Sequence, residues 1–230
     1  MSWTASSLIS SSVLALLLAG CAARPAELHR DDFRDANQWV LEAENPTARV
    51  SVRDGLLDID TPAGLTLWFK PLLEGPVEIE FDAIAVSEGG ANDQVSDLNV
   101  FWMASNRDGS APFPGQRSGR FADYNDLVTY YVGLGGNRNS TSRFRRYIGD
   151  AQLRPLLPEH DLSTPESLLV PNQKQTITLI ADRNTIEYKR DGKMLFRLDD
   201  VSPYTRGWFA LRTTQSHLRI GKLRIRDLSR

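Results

Sequence analysis

The chain has 230 residues, 27 Lys and Arg against 29 Asp and Glu, and a formal net charge of −2. A balance this close to neutral argues against nucleic acid, which would want a strongly basic face, and leaves room for a local basic groove. The single cysteine excludes an internal disulfide, and the length suffices for one domain with a sizeable core.

The first element is a targeting segment. Leu8 to Ala19 is an apolar run, shorter than the about 20 residues a membrane span requires. It ends in Leu18-Ala19-Gly20-Cys21, which resembles a bacterial lipobox, although no Lys or Arg precedes the run. The resemblance implies cleavage after residue 20 and lipidation of Cys21, followed by a tether over residues 21–28. Ala22 follows the cysteine where an Asp does not, and by the same resemblance this implies the outer membrane. The lipid would hold a soluble body at the surface rather than insert it.

From residue 29 to residue 230 the pattern is β almost throughout. Leu56 to Asp60 and Leu65 to Phe69 read as two short strands around the turn cluster Thr61-Pro62-Ala63-Gly64. Val77 to Asp82 alternates apolar and acidic residues, as a half-buried strand does. Leu98 to Ala104, Val128 to Leu134 and Arg143 to Ile148 continue the set. Thr176 to Ala181 and Thr185 to Arg190 flank a hairpin turn, and Asp191-Gly192 predicts a second one leading into Met194 to Leu198. Trp208 to Arg212 and His217 to Ile225 close the chain. No stretch sustains a 3.6-residue period, so helix is limited to single turns such as Pro165 to Leu169. Many short strands separated by turns predict an all-β sandwich or jelly roll.

Several segments carry a resemblance. Asp32-Phe33 with Trp39, Val50 to Leu56, and Gly207 to Arg212 running into Leu218 to Ile225 look like the framing strands of concanavalin A-like jelly rolls. Asn92 to Met103, Tyr130 to Asn137 with Arg143 to Tyr147, and Thr213 to His217 look like a group of bacterial secreted domains without a firmly assigned activity. That group is similar to sandwich proteins found beside enzymes that degrade pectin and other uronates. The resemblance implies two antiparallel sheets, a concave groove and an acidic polysaccharide or oligosaccharide as partner.

The densest chemistry lies between Tyr124 and Tyr147. Strand alternation puts Tyr130, Val132 and Leu134 on one face and Tyr131 and Gly133 on the other. It likewise groups Arg143, Arg145 and Tyr147 opposite Phe144 and Ile148, with Arg146 set awkwardly among the apolar pair. Leu218 and Ile220 as a core pair turn His217 and Arg219 outward. Side by side, these strands would line one groove with Tyr131, Arg143, Arg145, Tyr147 and His217. The set suits β-elimination on a uronic acid: cations and amides neutralise the carboxylate, a base takes the α-proton and an acid protonates the departing oxygen. Arg143 is the expected carboxylate clamp with Asn99 or Asn137, and Tyr131 and His217 the acid and base. Arg145, Tyr147 and Arg212 are further substrate-binding candidates. The same residue types also form cation–π ladders with no ligand, so a non-catalytic carbohydrate-binding lipoprotein stands beside the polysaccharide lyase.

Other constellations compete. Glu78, Glu80 and Asp82 share a strand face with neighbours roughly 6–7 Å apart, but their spacing departs from the Glu-x-Asp-x-x-Glu pattern of laminarinase-type glycoside hydrolases. The solvated face of an antiparallel strand is the favoured explanation for them. Neither chemistry requires a cofactor. Asp93 and Asp97, near Glu88, are candidate oxygen ligands for a structural Ca²⁺ without a fixed loop signature. Trp68 and Trp102 are candidates for sugar stacking, with Trp102 inclined to the core. His160 sits on a Pro-rich loop that could reach a groove rim, and His29 lies beside the tether.

Overall fold

The computed structural model describes residues 25–115 and 117–229. The expected targeting segment and Cys21 lie outside them. The strands in chain order are β1 Glu27–Asp31, β2 Trp39–Ala43, β3 Arg49–Arg53, β4 Leu56–Phe69, β5 Leu73–Glu74, β6 Val77–Ala85 and β7 Leu98–Ser105. They continue with β8 Val128–Gly135, β9 Thr141–Ile148, β10 Asp161–Leu162, β11 Lys174–Asp182, β12 Thr185–Arg190, β13 Lys193–Asp199 and β14 Arg206–Asp227.

All pairings are antiparallel, and two long strands build the sandwich by bending. The first half of β14 pairs with β7 and with the second half of β4. Its second half pairs with β6 and with the first half of β4. One sheet therefore runs β10-β9-β8-β7-β14-β4-β2, and the other runs β13-β12-β11-β6-β14-β4-β3, with β1 added along the end of β14. The ladder between β4 and β14 breaks at the bend. Thr214 pairs with Gly64 and Ser216 with Thr61, leaving Gln215 (φ 43°) and Pro62-Ala63 out of register. Proline has no N–H to give a ladder, so a break is where it fits. The cluster Thr61 to Gly64 is thus the corner of one 14-residue strand. It is not a turn between two strands, which corrects the sequence reading.

The core fills the space between the sheets. Trp102, Tyr130 and Phe144 from the first sheet meet Tyr188 and Phe196 from the second, with Phe144 and Phe196 centroids 6.2 Å apart. The awkward Arg146 closes the edge of this core. Its guanidinium lies 4.3 Å over the Tyr204 ring and its Nε donates to Asp200 at 2.7 Å. Tyr130 donates to the same carboxylate at 2.7 Å and accepts the Tyr204 N–H at 3.0 Å. Asp191-Gly192 turns with both φ values positive (51° and 75°), as a type I′ hairpin requires. Pro165–Ser167 forms a single 3-10 turn. β1 begins at Glu27, so Glu27 and Leu28, expected from sequence to be tether, belong to the sandwich.

A second apolar layer covers the outer face of the first sheet. Trp68, Phe101, Tyr131, Tyr147 and Ala210 pack there beneath Tyr124 and Leu127 of the loop between β7 and β8. The loop meets β4 closely: a Cβ at Gly64 would stand 2.3 Å from the Gly119 carbonyl.

Removing the Tyr130 hydroxyl tests the edge network. Tyr130→Phe is expected to lower the unfolding free energy by about 1–2 kcal/mol, read as a lower urea midpoint at unchanged m-value. An unmoved midpoint would assign the hydroxyl no role in stability.

Candidate functional site

Cross-strand register arranges the outer face of the first sheet in rows. One row passes through Glu42, Thr66, Arg212, Asn99, Gly133, Arg143 and Asp161, from β2 to β10. The adjacent row passes through Val40, Trp68, Ala210, Phe101, Tyr131 and Arg145. The first row is polar and the second mostly apolar. The loop between β7 and β8 covers the β2 end of both.

At the uncovered end is a cleft of two joined depressions, about 350 and about 270 Å³. Asp97, Phe121, Tyr131 and Asn137 line both. Arg138 lines the larger, and Arg143, Arg145 and Arg154 line the smaller. Asp97 is the sole carboxylate lining either one among the described residues. Tyr131, Arg143, Arg145, Asn99 and Asn137 are therefore brought together. Tyr147 and Arg212 lie beneath them, buried.

The cleft cations differ in how far they are committed. Arg143 is clamped by Asp161, Nε to Oδ1 at 2.7 Å and Nη2 to Oδ2 at 3.2 Å. It is thus already engaged, which weakens it as the carboxylate clamp. Among the described residues the Arg145 side chain donates only to the Arg154 carbonyl, at 2.6 Å, and burial pulls its pKa down. Arg154 donates to the Tyr147 hydroxyl at 3.3 Å and packs over the Phe121 ring. The Arg138 side chain has no hydrogen bond or ion pair among the described residues. Arg212 is 2 % exposed, donates to Thr66 Oγ1 and the Gly119 carbonyl (both 2.9 Å), and lies over Phe121 and Tyr124. Its Nε and Nη2 are unpaired.

The titratable groups of the cleft are Tyr131 and Asp97. Burial first, then the neighbouring Tyr147 and Asp97, push the Tyr131 pKa well up. Tyr131 is thus a proton donor at neutral pH. Burial likewise raises the Asp97 carboxyl, partly offset by hydrogen bonds from Ser96 and Asn99. The lip of the cleft is a left-handed turn. Asn137, Arg138 and Asn139 have φ values of 53°, 56° and 58° after Gly135 at 68°. Asparagine tolerates this region better than most residues. Asn139 locks the turn by bonding both the N–H and the carbonyl of Leu169, at 2.8 and 2.9 Å.

The remaining candidates lie elsewhere. His217 does not line the cleft. Its Nδ1 bonds Asp93 at 2.9 Å and its Nε2 bonds Asp58 at 3.1 Å. Glu78 and Glu80 pair with Arg226 at 2.5 and 3.1 Å, and Asp82 faces Lys174 and Lys222, all on the other sheet. They form a charge-paired strand face, not a catalytic pair. Trp68 is buried and donates to Glu42 at 2.9 Å, and Trp102 is in the core, so neither stacks a ligand. His160 is not on a rim. It is buried against Phe144 and Phe196 and bonds the Arg197 carbonyl. His29 is partly buried with its ring edge-on to Phe69. Asp93 accepts from the Glu88 and Gly90 N–H groups as well as His217. Among the described residues no group of three or more His, Cys, Asp or Glu is placed to hold a metal ion. Phe121, Arg138 and Arg154 were not singled out from sequence. They come from segments without periodicity, and only tertiary packing brings them to the cleft.

A family model described as a domain of unknown function, DUF6250, matches residues 59–223. The chain belongs to the DUF6250 family. No curated protein sequence matches it. Among solved structures, this DUF6250 protein is similar to a Bacillus subtilis protein of unknown function with a galectin-like fold. The TM-score is 0.68 at 15% identity, over 88% of this chain and 96% of that one. It is also similar to the carbohydrate-binding module CBM66 from Bacillus subtilis, with TM-score 0.54 and 9% identity over 83% and 96% of the two chains. A third similar structure is LamA of Z. galactanivorans in complex with laminaritriose and laminaritetraose, with TM-score 0.58 and 12% identity over 87% and 98%. At these identities the likeness establishes the galectin-like, jelly-roll fold of this DUF6250 chain.

The His217 bridge has a pH signature. Burial alone would lower its pKa, but the bonds and charges of Asp58 and Asp93 outweigh this and raise it. The stability from the raised value is fully present below the ordinary imidazole range of about 6.5, and it is lost as pH rises through the folded value. His217→Gln is expected to lower the melting temperature more at mildly acidic pH than at mildly alkaline pH. An equal loss at both would mean that the imidazolium is not the bridging species.

Proposed function

We propose that the cleft binds an acidic saccharide. The observation that carries this reading is charge: four arginines line the two depressions against one partly buried carboxylate. Guanidinium groups match the planar geometry of a carboxylate. Arg145 and Arg138 are the least committed of the four. Phe121 adds an aromatic surface against which a sugar ring could pack. The fold, shared with a carbohydrate-binding module and with an oligosaccharide complex, agrees with a saccharide partner.

A second reading is β-elimination on a uronic acid, favoured by the pairing of Tyr131 and Asp97 in one cleft. With His217 bound to Asp58 and Asp93, Asp97 would be the base. Its raised pKa suits proton abstraction near neutrality. Asp97 would take the proton α to the carboxylate, the C–O bond at the β-carbon would break as the double bond forms, and Tyr131 would protonate the departing oxygen. Arg145 would hold the carboxylate.

Titration calorimetry with uronate oligosaccharides tests the first reading. Arg145→Ala is expected to weaken binding about tenfold, equivalent to about 1.4 kcal/mol, and unchanged affinity would remove Arg145 from the site. A rise in ultraviolet absorbance from an unsaturated uronyl product, abolished by Tyr131→Phe, would establish elimination. Binding without that rise would leave recognition alone.

We further propose that residues 1–20 direct export and that Cys21 carries a lipid anchor holding the sandwich at the outer membrane. Cys21→Ser should release the protein from the membrane fraction. Retention of that variant in the membrane would overturn the anchor.

A further inference from the structure

The acidic-saccharide reading concerns the rim of the cleft, and its floor has a different chemistry. Asn99 is 2 % exposed, and its Nδ2 donates to Asp97 Oδ1 at 3.2 Å. That bond fixes the amide, so the atom left over is the carbonyl Oδ1, which is buried without a partner. A carbonyl oxygen can only accept. Beside it the Tyr131 hydroxyl has no hydrogen bond among the described residues. Between them lies Gly133, where an added Cβ would stand 2.7 Å from the Tyr131 hydroxyl oxygen and 3.3 Å from Asn99 Oδ1. Gly133 is not among the residues with positive φ, so its backbone does not require glycine. The missing side chain instead leaves room over Gly133 for the Tyr131 hydroxyl to stand beside Asn99 Oδ1 at the floor of the cleft.

We propose that Asn99, Gly133 and Tyr131 form a subsite that takes a hydroxyl of the bound sugar and so fixes which way round an acidic sugar lies. The proposal rests on the acidic-saccharide reading of the same cleft. Asn99 Oδ1 needs a donor from the ligand. A carboxylate, phosphate or sulfate oxygen there would meet a second acceptor, with the Asp97 carboxylate alongside. The hydroxyl edge of the ring therefore goes down to the floor, and the carboxylate goes up to Arg138 and Arg145. An unpaired buried acceptor is costly, and the ligand hydroxyl removes that cost on binding. The subsite thus discriminates polyhydroxylated acids from acceptor-only anions of equal charge.

The test uses the exported protein carrying Cys21→Ser, calorimetry, and two probe sets. These are oligomers of galacturonate, glucuronate and mannuronate, and neutral oligomers of galactose and glucose. Gly133→Ala and Asn99→Leu are each expected to weaken uronate binding at least tenfold, with melting temperature monitored for both. The atoms nearest the added methyl are the far end of the Tyr131 side chain and the Asn99 amide oxygen, not backbone, so that variant should keep its fold if the leucine variant does not. Uronate binding that Arg145→Ala weakens but Gly133→Ala leaves unchanged would overturn the subsite and keep the acidic reading. Equal binding of neutral and acidic oligomers, lost in Gly133→Ala, would keep the subsite and overturn the acidic reading. Binding of neither set would overturn both.

Discussion

Side chains alternate across a strand with a period of two, so one residue of slip moves a whole row to the other face. In this chain the row from Glu42 to Asp161 is set by six successive pairings, from β2 to β10. The site depends on that alignment. It puts Asn99 beside Gly133, and Gly133 beside Arg143. Two residues along, it puts Phe101 beside Tyr131 and Tyr131 beside Arg145. The alignment is protected from below by Val100, Val132 and Phe144, which the core would have to expose if any strand shifted. It is protected from above by the packing of Trp68, Phe101 and Tyr147 under the loop.

The electrostatics follow from where each row is covered. Under the loop, Glu42 and Arg212 are buried, and among the described residues Glu42 keeps one unpaired oxygen and Arg212 two unpaired nitrogens. Burial raises the Glu42 carboxyl, moderated by bonds from Trp68 and Tyr124. Burial lowers the Arg212 pKa, and aromatic faces rather than a carboxylate surround its charge. Toward the open end the charge is rim-like and exposed. Arg143 is neutralised by Asp161, whereas the Arg138 side chain on the left-handed turn has no ion-pair partner among the described residues. Such a turn costs about 1 kcal/mol or more per non-glycine residue. The paired bonds between Asn139 and Leu169 hold it in place. The lip is thus a rigid carrier for Arg138.

Much of this was legible from sequence because it depends on local alternation. The opposite faces of Tyr130 and Tyr131, the grouping of Arg143 with Arg145, and the Asp191-Gly192 hairpin are all period-two or turn chemistry. The corner at Thr61 to Gly64 was not legible, because a turn-rich tetrapeptide reads the same whether the chain reverses or one strand bends between two sheets. His217 shows a second limit. Its outward direction was correct, but it lies past the bulge at Gln215, on the part of β14 that belongs to the other sheet. Facing out there means facing away from Tyr131. Phe121 and Arg154 carry no periodic signal at all.

Strand β14 is 22 residues long and occupies the centre of both sheets. The strands that follow one another along its edge opposite β4, β7 and β6, are made more than a hundred positions earlier and share no ladder with each other. During synthesis the chain can form hairpins such as β11-β12-β13 or β7-β8-β9, but these remain separate until β14 emerges and stitches them together. Folding of such non-local β topologies is slow, on the ms–s scale. A nascent chain of this kind stays open through most of its production, which is the state that the proposed export would require.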